Sequence, residues 1–378
     1  MHRRSFLLGG IAVLTASGWA SLRGGLVGAS EEIGAAVAGL DQAVTGFSRQ
    51  PFTARCAAGH CLHDGYFHIG CGWQPAASTG AFAPGHYRTK DFVVAERAVE
   101  PLGLPDIVFH EMASFNGRIW RGPGLDDLEW NPGDDLTTDA IHSSETGAAP
   151  WTAEADPPDG PRECGLLLAH DGYLYSGLGE RYKEDQDPVY VMHRDIWRKA
   201  PGGAWEMRSS DIGFPLRSFG QVSWNGRLFM VGGADETNFT ASDPLRIDTA
   251  KIRSTADGFL TLTDHGDGPF IGYGMRLAHW RGGVVMVGGA SGNPTVLSDR
   301  VWFSDHPELA VWTELASLPE PLMHAAAGAL TIDGVEALAV IGGYVIRSGQ
   351  HLAAGTIYTL DDPAGQWVPR TDSDFWTD

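Results

Sequence analysis

Positive charge is scarce in this chain. Lysine and arginine number 27 against 47 aspartates and glutamates in 378 residues, a formal net charge of −20 at pH 7. A nucleic-acid binder needs a basic face to neutralise phosphates, so that class of partner is excluded. Otherwise so acidic a surface speaks mainly to solubility. Helical patterning is also missing: beyond residue 45 there is no long 3.6-residue apolar period.

Cysteine is sparse, with four residues, Cys56, Cys61, Cys71 and Cys164. Three of them crowd with His60, His63 and His68 in RCAAGHCLHDGYFHIGC (55–71). The spacing departs from the common zinc patterns, which use close cysteine pairs. The segment also reads as a hairpin about Asp64-Gly65, whose alternating side chains point to opposite faces and do not all converge. No metal and no cofactor is expected. In an oxidising compartment a disulfide is the plainer use, and Cys56 and Cys71 fall roughly opposite each other near the open end of that hairpin. Cys61 reads as a small buried hydrophobe. Cys164 has no evident partner.

Glycine is abundant, at 50 residues, with 13 tryptophans. The glycines recur in order. Six times a short turn is followed by an apolar strand that ends on glycines: HDGYFHIGCG (63–72), FNGRIWRGPG (115–124), HDGYLYSGLG (170–179), WNGRLFMVGG (224–233), WRGGVVMVGG (280–289) and IDGVEALAVIGG (332–343). The turn glycines Gly65, Gly117, Gly172, Gly226, Gly282 and Gly334 are spaced by 52, 55, 54, 56 and 52 residues. A near-constant period of this size marks a repeat built from one supersecondary unit.

The fourth copy shows what the unit is. Gly220 to Trp224 is a short apolar run, Asn225-Gly226 is a strong type I′ hairpin signal, and Leu228 to Val231 returns. A second pair of strands follows, as in DIWRKAPGGAWEM (195–207) with Trp197 and Trp205 about an APGG turn. Four strands per period make a propeller blade. The expected fold is all-β, a six-bladed β-propeller with four antiparallel strands per blade. Residues 55–378 would form one domain, 30–54 a linker or closing segment, and 1–29 an export signal with its cleavage region.

The paired glycines after the second strand and the aromatics on the outer strands resemble the kelch family over roughly residues 55–370. Copies four to six carry the full pair, whereas copies one to three have Gly-x-Gly. The outer strands more faintly resemble the Asp boxes of sialidases, another propeller family.

The N-terminus MHRRSFLLGGIAVLTASGWA has a basic start, an apolar stretch of export-signal length and small residues after it. Arg3-Arg4 before Ser5-Phe6-Leu7 resembles a twin-arginine signal. The expected location is periplasmic or secreted in a bacterium, with no stable membrane insertion once the signal is removed.

Strand order decides which loops share a face. Residues just before each innermost strand, and just after each glycine pair, lie together around the axis. Loops clustered on a rigid scaffold are where function usually sits. The first group holds Arg55, His110, Glu111, Arg162, Glu163, Arg217, Arg276 and His324. The second adds Glu180, Tyr182 and Asp235. One reading is an anion pocket at the mouth of the central channel, because the planar arginine fork suits a carboxylate or phosphate. Glu163 with Arg162, Glu111 and His324 would then carry proton chemistry, and Arg55, His110, Arg217, Arg276, Glu180, Tyr182 and Asp235 would bind the ligand. The other reading is that these charges pair with one another and plug the channel.

Two propeller families resembled by this pattern give the pocket content. Similarity to sialate mutarotases implies an acidic sugar whose anomers are interconverted by a glutamate-arginine pair. Similarity to sialidases implies three arginines on a sugar carboxylate, but the Phe-Arg-Ile-Pro signature is replaced by Thr53-Ala54-Arg55-Cys56. A small anionic sugar is thus the expected partner, with mutarotation or epimerisation as the expected chemistry; a non-catalytic scaffold for a protein partner, as in many kelch propellers, and a sialidase-like glycoside hydrolase are the alternatives.

Overall fold

A computed structural model describes residues 46–50, 52–75, 81–99, 102–126, 136–158, 160–182, 190–236, 246–292 and 295–370. The export signal expected over residues 1–29 lies outside them. The chain divides into two compact units, Met1–Ser48 and Arg49–Asp378. The first is described only from Gly46 onward, and the second holds the repeats.

The second unit is a six-bladed propeller. Each blade has four strands that pair antiparallel in chain order, innermost first. In blade three, Leu166–His170, Tyr173–Gly177, Ile196–Lys199 and Trp205–Ser209 follow one another outward. Blade six repeats this with Ala326–Ile332, Val335–Ile341, Ile357–Leu360 and Val368–Pro369. The innermost strands of the other blades are Gly59–His63, Met112–Phe115, Gly220–Trp224 and Arg276–Trp280.

The innermost hairpins turn where the sequence places them. Both central residues of every turn have positive φ, from Asp64-Gly65 (48° and 76°) to Asp333-Gly334 (50° and 81°). That is the backbone of a type I′ turn. Arg281-Gly282 does the same with an arginine in the first position.

Each blade also carries an element the repeat pattern did not reveal. Between its second and third strands runs a short two-stranded ribbon, for example Glu180–Tyr182 with Tyr190–Met192, and Ala234–Asp235 with Ile247–Asp248. The ribbons leave each blade just after the glycines, opposite the hairpin turns.

Apolar packing runs from blade to blade. Phe229 and Val231 of blade four pack with Leu277, Val284 and Met286 of blade five. Ile69 and Phe67 of blade one pack with Leu330, Ala339 and Ile341 of blade six, closing the circle without exchange of a strand within this unit. The glycine pairs sit at these joints. The second glycine of each donates its N–H to the next blade: Gly233 to the Gly272 carbonyl, Gly289 to Leu322, and Gly343 to Arg55.

The boundary between blades one and two is polar, and it absorbs the histidine-rich segment. His63 Nδ1 meets Ser114 Oγ at 2.8 Å, and His68 Nδ1 meets His86 Nε2 at 2.9 Å. The expected Cys56–Cys71 bridge is not formed. Cys56 stands opposite Trp73 rather than Cys71, because the chain takes left-handed turns at Ala57 and Cys71 before regular pairing starts at Gly59 and Gly70. Both thiols are free: Cys56 Sγ donates to the Trp73 carbonyl at 3.4 Å and Cys71 Sγ to Asp106 Oδ1 at 3.7 Å.

Candidate functional site

The start of each innermost strand is fixed by a repeated device. Ala57, Phe109, Cys164, Ser218, Gly274 and His324 occupy equivalent positions, all with φ between 49° and 68°. The N–H of each donates to the carbonyl of its counterpart in the preceding blade: Phe109 to Ala57, Cys164 to Phe109, Ser218 to Cys164, Gly274 to Ser218, His324 to Gly274, and Ala57 to His324. The six bonds, 2.6 to 2.9 Å long, form a closed ring around the axis. Left-handed conformations cost a residue with a β-carbon about 1–2 kcal/mol each, so five of these positions hold strain against a bond that closes the ring. The sixth is Gly274, where a β-carbon would come within 3.1 Å of the His324 imidazole.

The ring shuts this end of the axis. The Phe109 and His324 rings meet edge to face at 5.4 Å. Together with Cys164, Ser218, Glu111 and Arg276, they leave a void of about 10 Å³, at the lower limit for one water molecule.

Above the ring, an ion pair crosses the axis. Glu111, just before the innermost strand of blade two, bonds through Oε1 to Nη1 of Arg276 in blade five at 2.5 Å. Blades two and five are diametrically opposed in a sixfold circle. Arg276 is also anchored sideways, donating from Nε to the Ala325 carbonyl at 3.0 Å. Burial raises the Glu111 carboxyl above its ordinary range, and Arg276 works against that rise.

Beyond this pair the axis widens into a funnel of about 310 Å³ that opens among the hairpin turns. Its wall is made by all six innermost strands, with His60, Ser114, Gln221, Ser223 and His279 as polar members and Phe67 behind Gly328 as an apolar one. The size lies at the small end of ligand pockets, which run from about 300 to 1,000 Å³. Gln221 bridges two neighbouring inner edges, accepting from the Leu167 N–H and donating to the Gly165 carbonyl. Burial and then Arg276 push the His60 imidazole down to about 3, and burial lowers His279, so both are neutral.

Of the residues expected at the channel mouth, Glu111 and Arg276 are the two that reach the funnel among the described residues. Arg55 turns into blade one, donating to the carbonyls of Cys71, Ala83 and Gly85 from Nη1 and to Pro84 from Nη2. Its guanidinium lies between the rings of Phe52 and Tyr87, at 4.8 and 4.7 Å. Arg162 bonds the Leu178 carbonyl and Asp195, and burial lowers it to about 9. His110 is fully buried between blades one and two, and His324 belongs to the ring; burial holds both well below the usual histidine range.

Glu163, Glu180 and Arg217 form a second cluster at the ribbon face. Glu163 and Glu180 stand opposite each other in an antiparallel bridge. Arg217 reaches Glu180 at 3.1 Å and Glu236 at 2.5 Å. Burial pushes Glu163 up to about 7 and Glu180 well above the carboxylate range. Asp235 lies on the blade-four ribbon, and Tyr182 on that of blade three, where its side chain is outside the described residues. The expected opening at this face is therefore replaced by the hydrogen-bonded ring, and the arginines are engaged blade by blade. The polar funnel residues outside that set lie inside the innermost strands, three to six positions after the residues expected at the mouth.

No protein family matches the chain, and no curated protein matches it. Solved structures do. In fold this chain is similar to YjhT. That structure superposes with a TM-score of 0.60 at 14% identity, over 85% of this chain and 98% of that one. The likeness confirms the six-bladed architecture.

Proposed function

We propose that the funnel binds a small anionic sugar, with Arg276 holding its carboxylate and Glu111 exchanging protons with it. The observation that carries this reading is the Glu111–Arg276 pair at the floor of a ligand-sized, one-ended cavity. A glutamate-arginine pair in the axial site of a propeller is what the resemblance to kelch-type sialate mutarotases implies, and anomer interconversion is the chemistry it suits. Opening the sugar ring breaks the bond between the ring oxygen and the anomeric carbon. The ring oxygen gains a proton, the anomeric hydroxyl loses one, and a carbonyl appears. Glu111 is placed for one of these transfers and solvent for the other; reclosure on the opposite face reverses both. The twin-arginine-like start of the chain supports export to the periplasm or beyond.

A sialidase-like hydrolase would need three arginines on one carboxylate. Arg55, Arg162 and Arg217 are each held by other partners, so that reading has little support.

The test combines two measurements. Acidic monosaccharides should raise the melting temperature by mass action, neutral ones should not, and Arg276→Gln should abolish the rise. In NMR exchange spectra the protein should speed anomer interconversion of the sugar that binds. Glu111→Gln should keep the thermal shift and slow that exchange by about 10²-fold or more. Absence of a thermal shift with every acidic sugar would favour the non-catalytic scaffold instead.

A further inference from the structure

Among the described residues the funnel holds one arginine and one carboxylate, and the two are paired with each other. Among the described residues, no second arginine or lysine lines the funnel around Glu111. Blade one contributes His60 and blade six His324, both kept neutral by burial and Arg276. His110, next along the chain, is neutral for the same reasons and through Arg121. Blade three places Arg162 beside Glu111 but behind the funnel wall, bonded to Asp195, and adds the Cys164 thiol, which burial keeps protonated. Blade four offers the uncharged Gln221, and its Arg217 is engaged by Glu180 and Glu236.

An anion reaching Arg276 would put two negative charges on one guanidinium at the bottom of a one-ended funnel. Like charges sharing a poorly solvated site do not both stay ionised. We propose that an anionic ligand enters the funnel together with one proton, taken up by Glu111 as Arg276 turns from that carboxylate to the ligand. This rests on the reading of the funnel as an anion site. Glu111 is poised for the uptake, since burial already favours its neutral form and Arg276 is the contact opposing it. Once protonated, its hydroxyl donates to the ligand instead of repelling it. A neutral sugar requires no such proton.

Calorimetry on the full chain tests this, with glucuronate and N-acetylneuraminate as probes and N-acetylglucosamine as the neutral comparison. Titrations at one pH in two buffers of different ionisation enthalpy give the number of protons taken up. The expected result is close to one proton per acidic sugar, with affinity falling as pH rises across the range titrated, by at most tenfold per unit. Glu111→Gln should bind the same probes with affinity independent of pH and no uptake. Because the proton count comes from the unaltered protein, poor folding of the variant does not obscure the result. Binding of an acidic sugar without proton uptake overturns the linkage and leaves the anion site standing. Failure of both acidic sugars to bind across the whole range overturns the linkage and the anion site together.

Discussion

Glu163 and Glu180 show how a single residue's surroundings set its chemistry. They face each other across a bridge in blade three, with Glu236 and Arg217 of blade four closing over them. Glu163 is raised to about 7 from an ordinary 4.5. A carboxyl raised on folding favours the folded state while protonated, and that contribution is lost as pH rises from the unfolded value through the folded one. Urea midpoints should therefore decline between about pH 4.5 and 7. In Glu163→Gln the decline should be shallower by on the order of 1–3 kcal/mol over the same window. The sequence made these residues visible as charges at a common height on the axis. It did not show which way each would point. Long guanidinium side chains turn toward the nearest partners that satisfy them, so Arg55 found five carbonyls, Arg162 an aspartate, and Arg276 a carboxylate across the axis.

Among the elements, the hairpins were legible because their turns demand unusual backbone. Two successive residues with positive φ restrict the sequence to a few types, chiefly Asn or Asp followed by Gly. The ribbons were not legible, since pairs of two to four residues carry too little alternation to stand out from a loop. The glycine pairs were legible as punctuation, and their geometry explains them. Gly342 has a φ of 66°, and a β-carbon there would lie 2.3 Å from the carbonyl oxygen of Arg55 in blade one. Gly334, at the tip of the same blade's hairpin, has a φ of 81° and no neighbour within 4 Å of that position. Replacing each by alanine separates backbone strain from blade contact. Gly334→Ala should cost about 1 kcal/mol in denaturant unfolding, and Gly342→Ala at least about 2 kcal/mol more, because backbone must move. Equal costs would mean that the joint between the last blade and the first has slack.

On the scale of the whole molecule, the repeat count fixed the architecture, and the architecture decided which end of the axis is open. The start face looked suited to a site because cations gather there. The ring of six left-handed residues instead closes it, and the sequence hides that ring because Ala57, Phe109, Cys164, Ser218, Gly274 and His324 share a conformation and no side-chain chemistry. With one end closed, a funnel that binds sugar as proposed would admit a free sugar or the end of a chain, but not the middle of one. In competition titrations, glucuronate should be displaced by other acidic monosaccharides. An acidic polysaccharide with blocked ends should displace none, and displacement by it would place the binding surface outside the funnel.

The backbone ring turns the axis of this propeller into a cul-de-sac. A ligand of the proposed kind would have to back out through the doorway it used, so no second molecule could push the first one forward. If the proposed binding holds, occupancy of the floor would be one molecule at a time, and the departure of each guest would set the earliest moment at which another could be served.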